Sequence, residues 1–310
     1  MKKIITILLA AFLLLSLAAC GNETTPDDKE NAAMNNGERV EASDTKSTED
    51  STKSETNAPK KEITFNEIVA IDDENCSIKV TGIDDKNYTL NVMLENKSAE
   101  KNYMFGIKNA SINGVQCDPL FAKEVVAGKK ANTKMDFPVQ DLQSNGIDEY
   151  TDIEITFHVY DNDNWIDGAI VEKTIHIYPY GEDKAVKFVR EVQASDNVIV
   201  DNEFVTAIVT GYDEDGIFGY TANLFLLNKT DKNILFSVDG ASVNGFMADP
   251  FYATSVGTGK CAFSSISWSD TVLEENKIEK IETIEFTFRA HDEDDWNSDD
   301  FVNEIITLNP

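Results

Sequence analysis

The sequence predicts an all-β fold in which one β-sandwich domain occurs twice in tandem. The prediction rests on two matching segments, IEITFHVYDNDNW at 153–165 and IEFTFRAHDEDDW at 284–296, which share seven of thirteen residues. Each segment places apolar residues at every second position, the pattern of a half-buried strand, and then ends in an acidic loop closed by Trp. Because one such strand is not stable alone, its repetition predicts a repeated domain.

The residues around these strands also recur, at an offset close to 131 positions. Matched pairs include ASING with ASVNG, two Asp-Pro pairs and two Gly-Lys pairs, at 110–114 with 241–245, 118–119 with 249–250, and 128–129 with 259–260. Short strands separated by turn residues at this spacing are typical of a β-sandwich. We therefore predict two domains of about 120 residues each, at 62–179 and 185–310, with a short junction at 179–183.

Turn chemistry predicts specific elements within each copy. An Asn-Gly pair lies between apolar runs at 113–114 and again at 244–245, and it predicts a tight hairpin because both residues tolerate positive φ. Apolar runs predict strands at 63–65 and 134–139. One helical turn is expected at 141–144.

The first twenty residues predict an export signal with a lipid attachment site. Two lysines form a basic start, and the apolar run at 4–15 is shorter than a stable membrane span. Leu-Ala-Ala-Cys follows at 17–20 and resembles the lipobox of bacterial lipoproteins. The resemblance implies cleavage of a signal peptide at 1–19 and a diacylglycerol group on the sulfur of Cys20. The alternative is an ordinary secretory signal with a Cys at its cleavage site.

The segment at 20–61 predicts a disordered tether that begins at the lipid-bearing residue. It contains no aromatic residue and few aliphatic ones, so it cannot bury enough apolar surface to offset the entropy of an ordered chain. As a flexible coil it would span about 35 Å, which suits the display of folded domains above a membrane surface.

The charge balance is strongly acidic. The chain carries 27 Lys and Arg against 56 Asp and Glu, a formal net charge of −29, and loss of the signal peptide removes two lysines more. This acidity argues against nucleic acid as a partner and against docking on anionic lipid headgroups, since both would be repelled. Solvation accounts for most of the acidic clusters, and the alternative is that some of them bind cations or basic partners.

The two acidic loops carry the candidate ligand-binding residues. An exposed indole can stack on a sugar ring or a peptide side chain, and neighbouring carboxylates can accept hydrogen bonds from the polar groups of that ligand. The candidates are Trp165, Asp161 and Asp163 in the first copy and Trp296, Asp292 and Asp294 in the second. For the two indoles we favour the other interpretation, in which Trp caps the open end of the core, because both copies would inherit such packing.

Calcium is the one cofactor that these loops suggest, because Ca²⁺ needs several hard oxygens within one turn. The EF-hand spacing fails, since Trp165 stands where an oxygen ligand belongs and no Glu lies at the twelfth position. We therefore expect no bound cofactor. A calcium-stabilised structural spacer is the alternative.

Catalytic and redox signatures are missing from the sequence, which contains no GxSxG, HExxH or CxxC motif. Cys76, Cys117 and Cys261 have no Cys at the matching position of the other copy, so the fold does not depend on a disulfide. Free thiols are expected, with a Cys76–Cys117 bridge as the alternative. We predict a protein without enzymatic activity, and a cell-envelope hydrolase with converging carboxylates is a second alternative.

The arrangement as a whole resembles Gram-positive bacterial surface lipoproteins with tandem immunoglobulin-like domains. The resemblance rests on the lipobox, the polar tether, and the LENKS and LLNKT turns at 94–98 and 226–230, each followed by a strand that leads to an Asn-Gly hairpin. It implies an extracytoplasmic protein, lipid-anchored to the cell membrane, that presents an adhesion or ligand-binding module to a protein or a glycan. No functional residues are defined for such domains, so the resemblance assigns none here.

Overall fold

Strands dominate the computed structural model, which describes residues 62–84 and 86–310. This part of the chain contains eighteen β-strands, two α-helices of six residues each and two 3₁₀ turns. The all-β prediction is therefore confirmed. The predicted signal peptide, Cys20 and the predicted tether lie outside the described residues. Among the residues described, no helix is long and apolar enough to cross a membrane.

The first nine strands and one helix belong to the segment 62–179, which we call repeat 1. They are β1 (Ile68–Asp72), β2 (Cys76–Ile83), β3 (Leu90–Asn96), β4 (Tyr103–Ile112), β5 (Val115–Cys117), β6 (Ala122–Val125), β7 (Lys130–Met135), α1 (Val139–Ser144), β8 (Ile153–Asp161) and β9 (Ala169–Ile177). One sheet has the strand order β1-β2-β3-β7. The other has the order β5-β4-β8-β9, with β6 also paired to β4.

The remaining strands and the second helix belong to the segment 185–310, which we call repeat 2. They are β10 (Asn197–Asp201), β11 (Val205–Asp213), β12 (Tyr220–Asn228), β13 (Ile234–Val243), β14 (Phe246–Met247), β15 (Ala253–Val256), β16 (Cys261–Trp268), α2 (Asp270–Glu275), β17 (Ile284–Asp292) and β18 (Val302–Leu308). Their orders, β10-β11-β12-β16 and β14-β13-β17-β18 with β15 on β13, reproduce those of repeat 1 strand for strand.

Local turn chemistry explains several of these boundaries. Asn113 and Gly114 adopt φ of 53° and 83°, and the matching pair adopts 50° and 82°, so both predicted hairpins are confirmed. The helical turn predicted at 141–144 is the greater part of α1. The strand predicted at 134–139 has the wrong bounds, because the strand in this segment, β7, begins at 130 and ends at 135.

The strand predicted at 63–65 does not form. The segment before β1 instead runs past the end of β9, where the amide of Thr64 donates to the carbonyl of Pro179 at 2.9 Å. One isolated backbone bond ties the start of repeat 1 to its end without extending a sheet.

Each repeat has its own buried core, which draws apolar residues from both of its sheets. Phe105 and Phe157 are fully buried in repeat 1, and Phe286, Phe288 and Trp268 in repeat 2. Full burial of one such side chain stabilises the fold by roughly 1.5–3 kcal/mol. The period-2 pattern places these residues inward, so the core follows directly from the strand alternation.

A parallel strand pair joins the two repeats into one nine-stranded sheet. β5 of repeat 1 lies beside β16 of repeat 2, where the amide of Cys261 donates to the carbonyl of Gly114 at 3.1 Å. The side-chain amide of Gln116 adds two bonds, since it donates to the carbonyl of Ser255 at 2.5 Å and accepts from the amide of Gly257 at 2.7 Å. The repeats therefore share sheet hydrogen bonds as well as a covalent connection.

The outward face of the first sheet differs between the two copies. In repeat 1 this face carries Lys79, Met93 and Asn132 on neighbouring strands. At the same register positions repeat 2 carries Ile208, Phe225 and Phe263. Ile208 and Phe225 are buried and belong to the core cluster of repeat 1, and Phe263 packs against that cluster. The sheet of repeat 2 is thus apolar on both faces, because it packs against its own core on one side and against the junction on the other.

The segment between β9 and β10 crosses this apolar face. The amide of Phe188 donates to the carbonyl of Asn113 at 2.8 Å, and its ring packs edge to face on Phe263 with centroids 5.9 Å apart. The guanidinium of Arg190 lies 5.5 Å from the ring centre of Phe225 and makes two 2.7 Å bonds to Asp196. These contacts fix the nineteen-residue stretch 178–196, which has no strand of its own.

The three cysteines of the two repeats are free and buried, as expected for ordinary thiols. Burial raises the pKa of Cys76 and Cys117 to about 12 and that of Cys261 to about 11. All three stay protonated at neutral pH and are therefore poor nucleophiles and poor metal ligands.

Replacement of Phe263 by Asn, the residue at the matching position of repeat 1, is expected to loosen the junction. The change removes a partly buried ring from two aromatic contacts and should cost about 2 kcal/mol in the free energy of unfolding. Urea unfolding followed by far-ultraviolet circular dichroism measures this loss. As the matched control, Asn132→Ala changes the exposed counterpart and should stay within about 0.5 kcal/mol of wild type. Equal losses in both variants would contradict a special role for Phe263.

Candidate functional site

The first acidic loop, residues 162–168, follows the end of β8 and is closed by its own side chains. The side chain of Asp161 accepts a hydrogen bond from the amide of Asp163 at 3.1 Å, and Asn164 bonds the carboxylate of Asp167. A 3₁₀ turn at Trp165–Asp167 then reverses the chain into β9. We call this segment loop 1.

The second acidic loop, residues 293–301, follows β17 in the same way, and we call it loop 2. The side chain of Asp292 accepts from the amide of Asp294 at 3.1 Å, which repeats the bond seen in loop 1. Loop 2 is longer, and its far end is held by Arg289, which bonds both carboxylate oxygens of Asp300 at 3.0 and 3.1 Å. The two loops therefore share their first turn and differ afterwards.

An ion pair between a buried aspartate and an exposed lysine supports each loop. Asp161 pairs with Lys101 at 3.0 Å, and Asp292 pairs with Lys232 at 2.5 Å. The side-chain hydrogen bond from each lysine holds the pKa of its aspartate below the usual range and raises the pKa of the lysine. These two carboxylates serve the structure of the loops, so they are not available to a ligand while the pairs are intact.

The cap interpretation of the two tryptophans is wrong. Trp165 is 57% exposed and Trp296 is 71% exposed. The strand alternation explains why, because Asp161 and Asp292 occupy the last inward-facing positions of β8 and β17. The Lys–Asp pairs therefore lie at this end of each core, and the loops carry the indoles outward.

The remaining candidates are accessible. Asp163 and Asp294 are both exposed, and Asp294 accepts a bond from the side chain of Asn233 at 3.1 Å. Trp296 also packs against the buried ring of His291, with ring centroids 4.6 Å apart. Of the six residues that the sequence suggests, four form exposed Trp–Asp pairs, one pair in each loop, and two form ion pairs beneath them.

The structure does not bring the two loops together. Loop 1 follows Asp161, which lies opposite Tyr103 at the start of β4, whereas β5 pairs with the other end of β4. A strand of ten residues spans about 30 Å, so loop 1 lies far from the junction between the repeats. Loop 2 lies near the junction, because Glu293 accepts a 2.7 Å bond from Ser255, whose carbonyl is bound by Gln116.

A polar cleft lies beside loop 2, between the repeats. Two adjoining cavities of about 230 and 320 Å³ share five lining residues, which we call the junction cleft: Lys108, Asn109, Gln116, Asn233 and Gly257. Amide and hydroxyl groups dominate its walls, and Glu293 of loop 2 lines the larger cavity. Such a surface can bond polar ligands but offers little apolar area.

Two of the carboxylates that line the junction cleft, Glu154 and Glu172, are separated from each other and paired with lysines. Glu154 is bound by Lys260, and Glu172 lies 3.3 Å from Lys108. The two glutamates stand four residues apart along β8 and β9, which corresponds to about 14 Å. This separation exceeds the 5–10 Å typical of paired catalytic carboxylates in glycoside hydrolases. This pair of glutamates therefore gives no specific support to the hydrolase alternative.

Metal ligation finds no support in the residues that the structure describes. Within 62–84 and 86–310, no group of three or more His, Cys, Asp and Glu side chains is arranged to hold a metal ion. In each loop the lysine partner occupies the carboxylate that a cation would need first.

The sequence interpretation missed the two lysines that support the loops. Lys101 and Lys232 each stand two positions before the first residue of a strand, after the matched LENKS and LLNKT turns. Both copies contain the lysine and, 60 positions later, the inward-facing aspartate, and this repetition was the available signal. It indicates an ion pair only when β4 is placed beside β8.

Comparisons with known proteins assign no family to the chain. No family model matches it, and no curated protein matches it. Among solved structures, the chain is aligned with a deletion mutant of Bacillus subtilis oxalate decarboxylase at 7% identity, over 68% of this chain and 74% of that chain. The TM-score of that alignment is 0.11, which is too low to indicate a shared fold or activity.

We expect the support of each loop to weaken in acid. The pKa of Asp161 and Asp292 is lowered by folding, so their stabilising contribution is complete above the unfolded value near 3.9 and is lost as the pH falls through the folded value. Asp292→Asn should therefore lower the melting temperature at pH 7, and the difference from wild type should shrink below pH 3.

Thermal melts at pH 7 and pH 2.5 measure this effect. Asp294→Asn is the matched control, since its carboxylate is exposed and bonds only an amide side chain. It should change the melting temperature little at either pH. A loss in Asp292→Asn that is the same at both pH values would contradict the ion-pair explanation.

Proposed function

We propose that the protein is a non-catalytic, surface-displayed lipoprotein whose two repeats form a module for adhesion or ligand binding. In this proposal a diacylglycerol group on Cys20 anchors the chain to the outer face of the cell membrane, and the tether carries the repeats away from it. The ligand is an extracellular protein or a glycan.

The exposure of Trp165 and Trp296 is the observation that carries the proposal. Large aromatic side chains are costly to leave in water, and indoles are enriched where proteins bind partners. Here the loops hold the indoles outward, although the fold has room for a fully buried indole elsewhere, at Trp268. Exposed Asp163 and Asp294 each lie two residues before the Trp of their loop and supply hydrogen-bond acceptors.

The arrangement of the sheets supports a display role of the immunoglobulin-like type. Each repeat consists of two antiparallel sheets around a core, with loops gathered at the ends, as in such domains. The strand order differs in one respect, because β2 and β3 are neighbours in one sheet, whereas the second and third strands of antibody constant domains lie in different sheets. The immunoglobulin-like assignment is therefore part of the proposal and concerns architecture alone.

No specific observation favours either of the two alternatives, the calcium-stabilised spacer or the cell-envelope hydrolase. A calcium-stabilised spacer would need converging oxygens, and the described loops direct their first carboxylates to Lys101 and Lys232. A cell-envelope hydrolase would need a converging acid pair, and the junction cleft keeps Glu154 and Glu172 apart. The binding module is the function that the exposed loops support best.

Alanine at Trp165 and Trp296 tests the binding role. Because both indoles are exposed, each change should alter the free energy of unfolding by no more than about 0.5 kcal/mol. Screening of the full chain against glycan and extracellular-protein arrays should identify a ligand. We expect alanine at one or both positions to weaken its binding by at least 2 kcal/mol, roughly thirtyfold in Kd.

Leu120→Ala is the matched control for that experiment, because Leu120 is 82% exposed and lies in neither loop. It should leave ligand binding unchanged. Unfolding of the two Trp variants, or binding that all three variants retain in full, would refute the role of the loops.

The lipid anchor is tested by Cys20→Ala. Without the sulfur no acyl chain can be attached, and each buried CH₂ of such a chain contributes about 0.8 kcal/mol to membrane binding. The variant should therefore move from the membrane fraction to the soluble extracytoplasmic fraction in the expressing bacterium. Cys76→Ala, which changes a buried thiol, should stay with the membrane. Retention of the Cys20 variant on the membrane would contradict the lipoprotein assignment.

A further inference from the structure

The end of repeat 2 that lies away from repeat 1 carries a group of exposed apolar side chains. Phe218 is 76% exposed and Phe251 is 96% exposed, and the neighbouring residues are exposed as well. The group, which we call the tip, consists of Ile217, Phe218, Phe246, Met247 and Phe251. Single exposed apolar residues are ordinary, but five on neighbouring segments of an acidic protein indicate an interaction surface.

Backbone contacts around the end of β16 hold the tip together. Gly219, next to Phe218, lies so close to Trp268 that an added Cβ would be 2.2 Å from its carbonyl oxygen. The buried indole of Trp268 donates to the carbonyl of Ala248 at 2.9 Å, next to Met247. Phe251 pairs with Ser267 in an isolated bridge. All five apolar residues therefore belong to segments that meet at this one end of the sheet.

The matching end of repeat 1 is occupied by a strand of repeat 2, which shows what this kind of surface can bind. Phe246 and Met247 of β14 correspond to Val115 and Gln116 of β5, the strand that pairs with β16 at the junction. A cavity of about 220 Å³ lies between β5 and α1, and Phe263 of repeat 2 forms part of its wall. In repeat 1, then, the edge strand β5 pairs with β16, and Phe263 of β16 lies at the cavity next to β5.

Among the described residues, repeat 2 places the same two elements side by side, without a strand of another repeat next to them. α2 lies beside β14 as α1 lies beside β5, with Leu273 and Asn276 at the positions of Leu142 and Asn145. In the part of the chain that the structure describes, β14 pairs only with β13, and its outer edge has no strand beside it. The larger apolar residues at this edge, Phe246 and Met247, extend the surface that β5 uses.

The charges around the tip favour a basic partner. Exposed acids surround the apolar group on the neighbouring turns and on α2, namely Asp213, Glu214, Asp215, Asp249, Asp270, Glu274 and Glu275. Lys277 and Lys280 are the basic residues on the adjoining segment. This excess of negative charge would repel an anionic lipid surface and attract a protein with basic residues around its contact area.

A second copy of the chain is a poor match. The edge of repeat 1 that corresponds to β16 is β7, and the face beside it carries Lys79, Asn132 and an ion pair between Lys130 and Glu95. These residues replace the apolar Ile208, Phe263, Cys261 and Leu227 that make the junction. The edge strand β5 thus has a counterpart in repeat 2, namely β14. Within the described residues, however, the face beside β7 is polar and cannot pack on β14 as the apolar face beside β16 packs on repeat 1.

We infer that the tip is a docking site for another protein, which presents a short strand edge with an aromatic side chain and basic residues around it. The partner strand pairs with the outer edge of β14, and its aromatic side chain packs between β14 and α2, as Phe263 lines the cavity between β5 and α1. This site is separate from loops 1 and 2 and does not depend on their ligand.

A synthetic peptide tests the inference directly. It carries residues 259–266, with Ser in place of Cys261 and two Lys at each end, so it copies the strand that docks on β5. We expect the full chain to bind it at micromolar to millimolar concentration, measured by fluorescence anisotropy of the labelled peptide. The same peptide with Phe263→Asn, and one with Glu at both ends, should each bind at least tenfold more weakly.

Variants of the protein locate the binding site. Phe246→Asn together with Met247→Gln, both at exposed positions, should raise the Kd of the peptide at least tenfold while the melting temperature stays unchanged. Leu120→Asn, at the position of repeat 1 that matches Phe251, should have no effect, and Trp165→Ala and Trp296→Ala should have none either. The last two variants separate this site from the proposed ligand-binding loops.

Three results would overturn the inference. The first is a peptide that fails to bind at millimolar concentration or binds equally well without its Phe. The second is concentration-dependent self-association in sedimentation velocity that the Phe246 and Met247 changes abolish, which would assign the tip to a second copy. The third is sedimentation of the chain with phosphatidylglycerol vesicles that the same changes abolish, which would assign the tip to a lipid surface.

Discussion

The structure depends on the pairing of β5 with β16, because this pairing turns two repeats into one continuous sheet. Backbone bonds alone would fix the contact weakly, since only one residue pair is in register. The apolar outward face of repeat 2, with Phe225 and Phe263 beneath Phe188, supplies the buried area that keeps the strands together. Hydrogen bonds thus set the geometry of the junction, and apolar burial stabilises it.

This junction gives two similar repeats different surroundings. It covers the edge of β5 in repeat 1 and, within the chain as described, leaves the matching edge of β14 in repeat 2 without a strand beside it. It also places loop 2 beside a polar cleft, while loop 1 lies at the opposite end of its repeat. Duplicated residues such as Trp165 and Trp296 therefore have different surroundings, and a ligand that needs both the cleft and an indole can bind only at loop 2.

Much of the fold follows from local residue patterns. The alternation in β8 and β17, the Asn-Gly hairpins and the helical turn at α1 were all predictable, because each depends on residues close in sequence. The register of β7 was not predictable, since its start is set by pairing with β3. The site was predicted in part: the indoles and exposed aspartates were found, but the Lys101–Asp161 pair and the position of the indoles outside the core were not.

By itself the sequence determined the all-β class, the repetition and the positions of the acidic Trp loops, because strand period and turn chemistry act over a few residues. The tertiary structure alone decided which faces are buried, where Asp161 and Asp292 find their lysines, and which end of each repeat stays open. These depend on strands distant in the sequence. Phe263 packs at the junction whereas its counterpart Asn132 is exposed, and this difference is explained only by the position of β16 beside β5.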